Sequence, residues 1–95
     1  METQFYIIYN FKTTEGWESF ARFFIGDDRE EAVELFGSLQ GTTESDEHSP
    51  LSIDFMETIN GLPVNLKMLY CNLLQLGENT KIITKELFKR HAFNE

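Results

Sequence analysis

Two rhythms of hydrophobic positions run along the chain. In "QFYIIYNFK", residues 4–12, Phe5, Ile7, Tyr9 and Phe11 fall on one side and Tyr6, Ile8, Asn10 and Lys12 on the other. Period two in a segment rich in aromatic and β-branched residues predicts a strand. "TTEG" follows as a turn, with Gly16 open to positive φ. "WESFARFFI", residues 17–25, fits both rhythms, because Trp17, Phe20, Ala21 and Phe24 also have helical spacing. It is short, has no N-cap of its own and follows a strand and a glycine turn, so it is expected to close a hairpin. Phe20 and Phe24 would then share one face, and Phe23 and Ile25 the other.

The rhythm changes in "GDDREEAVELFGSLQG", residues 26–41. Ala32, Leu35, Phe36 and Leu39 recur at helical spacing. Asp28 and Glu31 have capping-box spacing, Glu30 and Glu34 sit where the helix dipole favours anions, and Gly41 is expected to close the helix. "GTTESDEHSP", residues 41–50, is a polar, acidic loop ended by Pro50. "LSIDFMETI", residues 51–59, alternates again, with Leu51, Ile53, Phe55 and Ile59 on one face and Ser52, Asp54, Met56 and Thr58 on the other. Glu57 falls on the apolar side, so it is expected near the sheet edge or paired with a lysine. Asn60-Gly61 is a strong hairpin signal. In "VNLKMLYC", Val64, Leu66, Met68 and Tyr70 are expected inward, Asn65 and Lys67 outward. Asn72 with Gln75 forms a second capping box. The helix it opens runs to about Arg90, with Leu73, Leu76, Ile83 and Leu87 as its stripe and Thr80 among them. Lys85, Lys89 and Arg90 suit its negative end.

The order is therefore ββαββα. Hairpin–helix units at 4–40 and 51–91 flank the acidic loop at 41–50 in one α+β domain. Two such units join edge to edge into a four-stranded antiparallel sheet with both helices on one face. "FFIGDDREEAVELFGSLQG", "METINGLPVNLKMLYC" and "ITKELFKR" together resemble a family of small, uncharacterised bacterial proteins with this arrangement. The resemblance covers most of the chain. It implies the fold alone and brings no activity, ligand or catalytic residue.

Composition bounds what such a domain does. The chain has 95 residues, enough for one core. Its net charge is −8, so phosphate backbones and anionic membranes are repelled, and neither nucleic acid nor membrane is an expected partner. The charge is uneven: residues 1–50 hold 11 acids and 3 bases, residues 51–95 hold 5 of each. The lone Cys71 excludes an internal disulfide and a CxxC metal knuckle, which fits a reducing compartment. The N-terminus lacks a basic region and a cleavage site, and no apolar run reaches the roughly 18 residues of a membrane helix. A cytoplasmic location is the simplest expectation.

Candidate chemistry is thin. Cys71 would need His48 or His91 beside it to act as a nucleophile, and a cysteine at a strand end is more often packing. Asp54, Glu57 and Glu18 would need a cleft to work as paired carboxylates. Lys81, Lys85 and Lys89 lie four apart on one helix face and could grip an anion, though Glu78 and Glu86 dilute them. No metal or cofactor is expected. The acids at 27–34 start a helix and do not converge as hard-cation ligands must.

The N-terminal hairpin carries large apolar residues on both sides, and helices can cover only one. Nine of the residues are Phe. The bland account is a second face that curls under a loop or under Phe93. The functional account is a partner surface, most simply a symmetric homodimer, with Tyr6, Ile8, Phe20 and Phe24 at the contact. A non-enzymatic, self-associating interaction domain is thus the leading expectation, with another protein as the next partner. The alternative is a small-ligand pocket between sheet and helices, contacted by Glu57, Tyr70, Lys81 and Lys85.

Overall fold

The computed structural model describes residues 2–44 and 49–92, and the side chains of residues 91 and 92 are not part of that description. His48, Phe93 and the His91 side chain therefore lie outside the described residues. Strands β1 (Thr3–Thr13) and β2 (Gly16–Gly26) form the first hairpin, followed by helix α1 (Arg29–Gly37). Strands β3 (Leu51–Ile59) and β4 (Leu62–Cys71) form the second, followed by helix α2 (Leu73–Ala92). The hairpins join through β1 and β3, so the four-stranded antiparallel sheet has the order β2-β1-β3-β4. Asn60 and Gly61, at φ 53° and 85°, supply the left-handed pair that a tight right-twisted hairpin requires.

Asn72–Gln75 forms a full capping box, and Asp28–Glu31 forms its N-cap half. The Glu31 N–H donates to Asp28 Oδ1 at 3.0 Å. Gln75 N–H donates to Asn72 Oδ1 at 2.8 Å, and Asn72 N–H to Gln75 Oε1 at 3.0 Å. Helix α1 ends earlier than its glycine suggested: Ser38 is the C-cap. Gly41 serves the approach of the chain to β4. A Cβ there would stand 2.8 Å from the Tyr70 carbonyl oxygen.

Both helices lie on one side of the sheet. Phe5, Ile7 and Tyr9 of β1 and Ile53 and Phe55 of β3 are buried against Ala32, Leu35, Phe36, Leu76 and Ile83. Phe36 stacks on Phe55 with ring centroids 5.0 Å apart, and the Tyr9 hydroxyl meets the Thr80 hydroxyl at 2.9 Å. Glu57 is 4% exposed on the central strand β3, where Arg29 at the start of α1 pairs with it. Its partner is thus an arginine, and it is not near an edge. The acidic α1 and basic α2 meet through Glu31 and Arg90, 3.8 Å apart. Asn79, fully buried, ties the chain after α1 to α2: its Oδ1 accepts from Gln40 N–H at 2.7 Å, and its Nδ2 donates to Gln40 O at 2.8 Å. Leu73 is 76% exposed and does not join the buried stripe of α2. It lies in the first turn, beside the equally exposed Leu74, before the helix crosses the sheet. No described helix is long and apolar enough to cross a membrane.

Three single-residue bulges break the period of two. Phe20 and Ile25 are extra residues in β2, and Leu66 is an extra residue in β4. Each moves the following residues to the other face. In β4 the inward residues after the bulge are therefore Leu69 and Cys71, both buried, while Met68 and Tyr70 pair with Asp54 and Ser52 on the opposite face. In β2 the Phe20 ring packs on Tyr9 and Phe11, on the helix side. Phe24 packs on Tyr6, on the other. Phe20 and Phe24 do not share a face.

Candidate functional site

The residues with nucleophilic or acid–base potential are scattered. Cys71 is fully buried, and that burial pushes its thiol from 9.0 up to about 11, the opposite of an activated nucleophile. Asp54 faces away from the helices, Glu57 faces them, and Glu18, opposite Phe11, lies on the helix side of the edge strand β2. Among the described residues no group of three His, Cys, Asp or Glu side chains is arranged to hold a metal ion.

The four candidate ligand contacts do not converge either. Glu57 is committed to Arg29, and Tyr70 lies on the opposite face of the sheet. Lys81 pairs with Glu78 at 3.3 Å within α2, and Lys85 is exposed. A groove of about 270 Å³ runs between the two helices, lined by Glu31, Glu34 and Glu86 with Lys89 and Arg90. Its arginine already faces Glu31 and Glu86.

The sheet face away from the helices, hereafter the second face, is more organised. Cross-strand pairing sets it out in rows: Ser19, Asn10, Ser52 and Tyr70 in one; Arg22, Ile8, Asp54 and Met68 in the next; Phe24, Tyr6, Met56 and Asn65 in the third. No helix covers it, yet Asn10 and Ser52 are only 6% and 2% exposed. The sheet curls: Trp17 from edge strand β2 and Tyr70 from edge strand β4 bring their rings to 6.1 Å, over the two strands between them. Beneath them Ser19 Oγ donates to Asn10 Oδ1 at 2.6 Å. Asn10 Nδ2 donates to Ser52 Oγ at 3.2 Å and Asp54 Oδ2 at 2.9 Å. Asp54 Oδ1 is buried with no hydrogen-bond partner among the described residues. The Arg22 guanidinium stacks 4.1 Å over the Tyr6 ring, and Tyr6 packs on Phe24 at 5.4 Å. The second face is therefore greasy only around Phe24, Tyr6, Ile8 and the methionines; its upper row is polar and closed over by the chain's own aromatics.

The edges differ. Lys12 N–H donates to Pro50 O and Asn60 N–H to Glu2 O, both at 2.9 Å. The even-numbered residues of β1 therefore turn their backbone groups toward β3, and the odd-numbered ones toward β2. On β2, the partners of the even residues are Trp17, Ser19, Arg22 and Phe24, so their N–H and C=O groups point outward from the sheet. By the same alternation β4 turns Pro63, Asn65, Met68 and Tyr70 outward. Pro63 has no N–H, and Thr42 already occupies both Tyr70 groups, at 2.8 and 2.7 Å. Compared with known proteins, the chain matches no family model, no curated protein and no solved structure.

Proposed function

We propose that this chain is a small non-enzymatic interaction domain that associates with itself through its uncovered sheet surface. The reading rests on one observation. Trp17, Phe20 and Phe24 are 43%, 49% and 49% exposed, and all three stand on an edge strand whose outer side pairs with no other described strand. Half-exposed aromatics concentrated on one strand are characteristic of contact surfaces. Tyr6 and Ile8 on the adjacent strand extend the patch on the second face. The ligand-pocket alternative lacks comparable support, because its polar contacts face different ways.

Sedimentation equilibrium from low to high micromolar concentration tests the proposal. A reversible monomer–dimer equilibrium is expected, weakened by Phe24→Asp. A monomer throughout that range overturns self-association.

A further inference from the structure

We infer that two copies pair β2 against β2 about a two-fold axis between Phe20 and Ala21, making one continuous eight-stranded sheet. The inference rests on the self-association reading and specifies its geometry. The occupant follows from the symmetry of the edge itself. Outward-facing residues occur at 17 and 19 before the bulge and at 22 and 24 after it. That series is symmetric about the midpoint of residues 20 and 21. A two-fold axis there sets Trp17 opposite Phe24 of the second copy and Ser19 opposite its Arg22, each an outward residue facing an outward residue. Because the bulge interrupts the period, shifts of register shorten the paired length or set outward groups against inward ones. The bulge thus selects one long register and centres it within Gly16–Gly26.

Side chains agree with this register. Residues set opposite one another share a face: Trp17, Ser19, Arg22 and Phe24 all lie on the second face, with Glu18, Phe20, Ala21 and Phe23 on the helix side. Trp17 meets Phe24, an aromatic cross-strand pair made twice. Phe20, half exposed in the single copy, lies beside Ala21 at the axis. The axis stands perpendicular to the sheet, so the helices of both copies stay on one side and both second faces on the other.

Charge points to the same strand. A chain of net charge −8 that meets itself does so where acids are sparse, and β2 carries one acid and one base, Glu18 and Arg22. β4 is less acidic still, but only Asn65 and Met68 keep both outward backbone groups there, because Pro63 lacks a donor and Tyr70 is bound to Thr42. The three exposed aromatics of β2 supply about 300 Å² of buried surface per copy, at roughly 200 Å² for a whole aromatic side chain. Aromatics alone thus fall well short of the roughly 800 Å² per partner of a standard stable interface, and a concentration-dependent dimer is expected.

Backbone amide exchange on the unmodified protein, followed by NMR across the dimerisation range, tests the pairing. Slowing with concentration is expected at the amides of Trp17, Ser19, Arg22 and Phe24, and not at Met68. Arg22→Pro is the matching variant, because the Arg22 N–H makes no bond to β1; Met68→Pro is the same perturbation on the other edge. Arg22→Pro is expected to weaken the dimer roughly tenfold or more through two lost inter-chain bonds, and Met68→Pro to leave it unchanged. A dimer whose β2 amides show no protection overturns this pairing and leaves self-association standing. A chain monomeric at every concentration overturns both.

Discussion

Replacing Asn79 by alanine probes the joint on which the helix layer depends. Asn79 is fully buried, and its carboxamide satisfies both the N–H and the C=O of Gln40. Truncation removes two hydrogen bonds, each worth about 0.5–1.5 kcal/mol net, and leaves a small cavity. Gln40 is itself exposed, so water re-satisfies part of what is lost, and the expected penalty is about 2–3 kcal/mol. A domain of this length holds about 5–14 kcal/mol in total, so the loss is a large fraction. Urea unfolding followed by circular dichroism reads it directly. Asn79→Asp isolates the hydrogen-bond component: one carboxylate oxygen can still accept from Gln40 N–H, but the other faces the Gln40 carbonyl oxygen. Burial and that acceptor favour the protonated acid in the folded state. The folded state therefore holds its proton to higher pH than the unfolded chain, and stability falls as pH rises between the two titrations. The penalty relative to wild type is expected to be larger at pH 7 than at pH 4.5. A penalty below about 0.5 kcal/mol for the alanine variant, or one independent of pH for the aspartate, would refute the reasoning.

Other perturbations test other joints. Gly41→Ala drives a Cβ to 2.8 Å from the Tyr70 carbonyl oxygen, so loss of protection at the Thr42 and Tyr70 amides is expected in hydrogen exchange. Arg29→Ala strands the buried Glu57 carboxylate and is expected to cost about 2 kcal/mol in urea unfolding, less than a fully buried pair because Arg29 is largely exposed; adding Glu57→Gln should recover part of it. The Cys71 thiol should label with a disulfide reagent only on unfolding. Its titration, raised from 9.0 to about 11 by burial, gives stability that is fully present below pH 9 and lost as pH climbs toward 11, a fall that thermal melts across that window should show. Added salt should tighten the dimer, because screening relieves the repulsion between two chains of net charge −8.

What could be read in the sequence was local. Asp28 with Glu31 and Asn72 with Gln75 each act over three residues; the second box closes in both directions, while in the first Asp28 caps the Glu31 N–H and the Glu31 carboxylate turns to Arg90 instead. The ββαββα order followed from period and turn chemistry, and Asn60-Gly61 took the left-handed turn its composition favours. What escaped was set between strands. An extra residue at Phe20, Ile25 or Leu66 is defined only against the partner it fails to match, so strict alternation placed Met68 and Tyr70 on the wrong face. Gly41 looked like a helix stop because glycine marks both helix ends and close approaches, and only the position of Tyr70 separates the two. Asn79, by its spacing from Leu76 and Ile83, falls on the buried stripe. A polar residue at a core position was the available signal that a buried bond waited there. Leu73 failed for the complementary reason: helical phase alone does not say where a helix leaves the sheet.

The two edges of the sheet bear on why β2 is the one to watch. Open edges invite unwanted pairing, and proteins blunt them with proline, bulges or a covering loop. β4 has all three: Pro63, the extra residue at Leu66, and Thr42 bonded to Tyr70. β2 has bulges but no proline, Arg90 reaches only its far end at the Ile25 carbonyl, and the strand presents Trp17, Phe20 and Phe24 half exposed. If its openness were neglect, the safest residues to leave there would be charged ones, which this chain has in plenty a few positions away at 27–34. Instead β2 carries aromatics, and its central bulge leaves a symmetric array of donors and acceptors. A bulge so placed restricts pairing with an arbitrary strand but matches its own two-fold copy. Protection against foreign strands and pairing with a second copy then come from the same residue, Phe20, and deleting it sets the two roles against each other. The shortened strand would regain unbroken alternation, with more registers open to it, so the expected product is higher-order association in place of a discrete dimer.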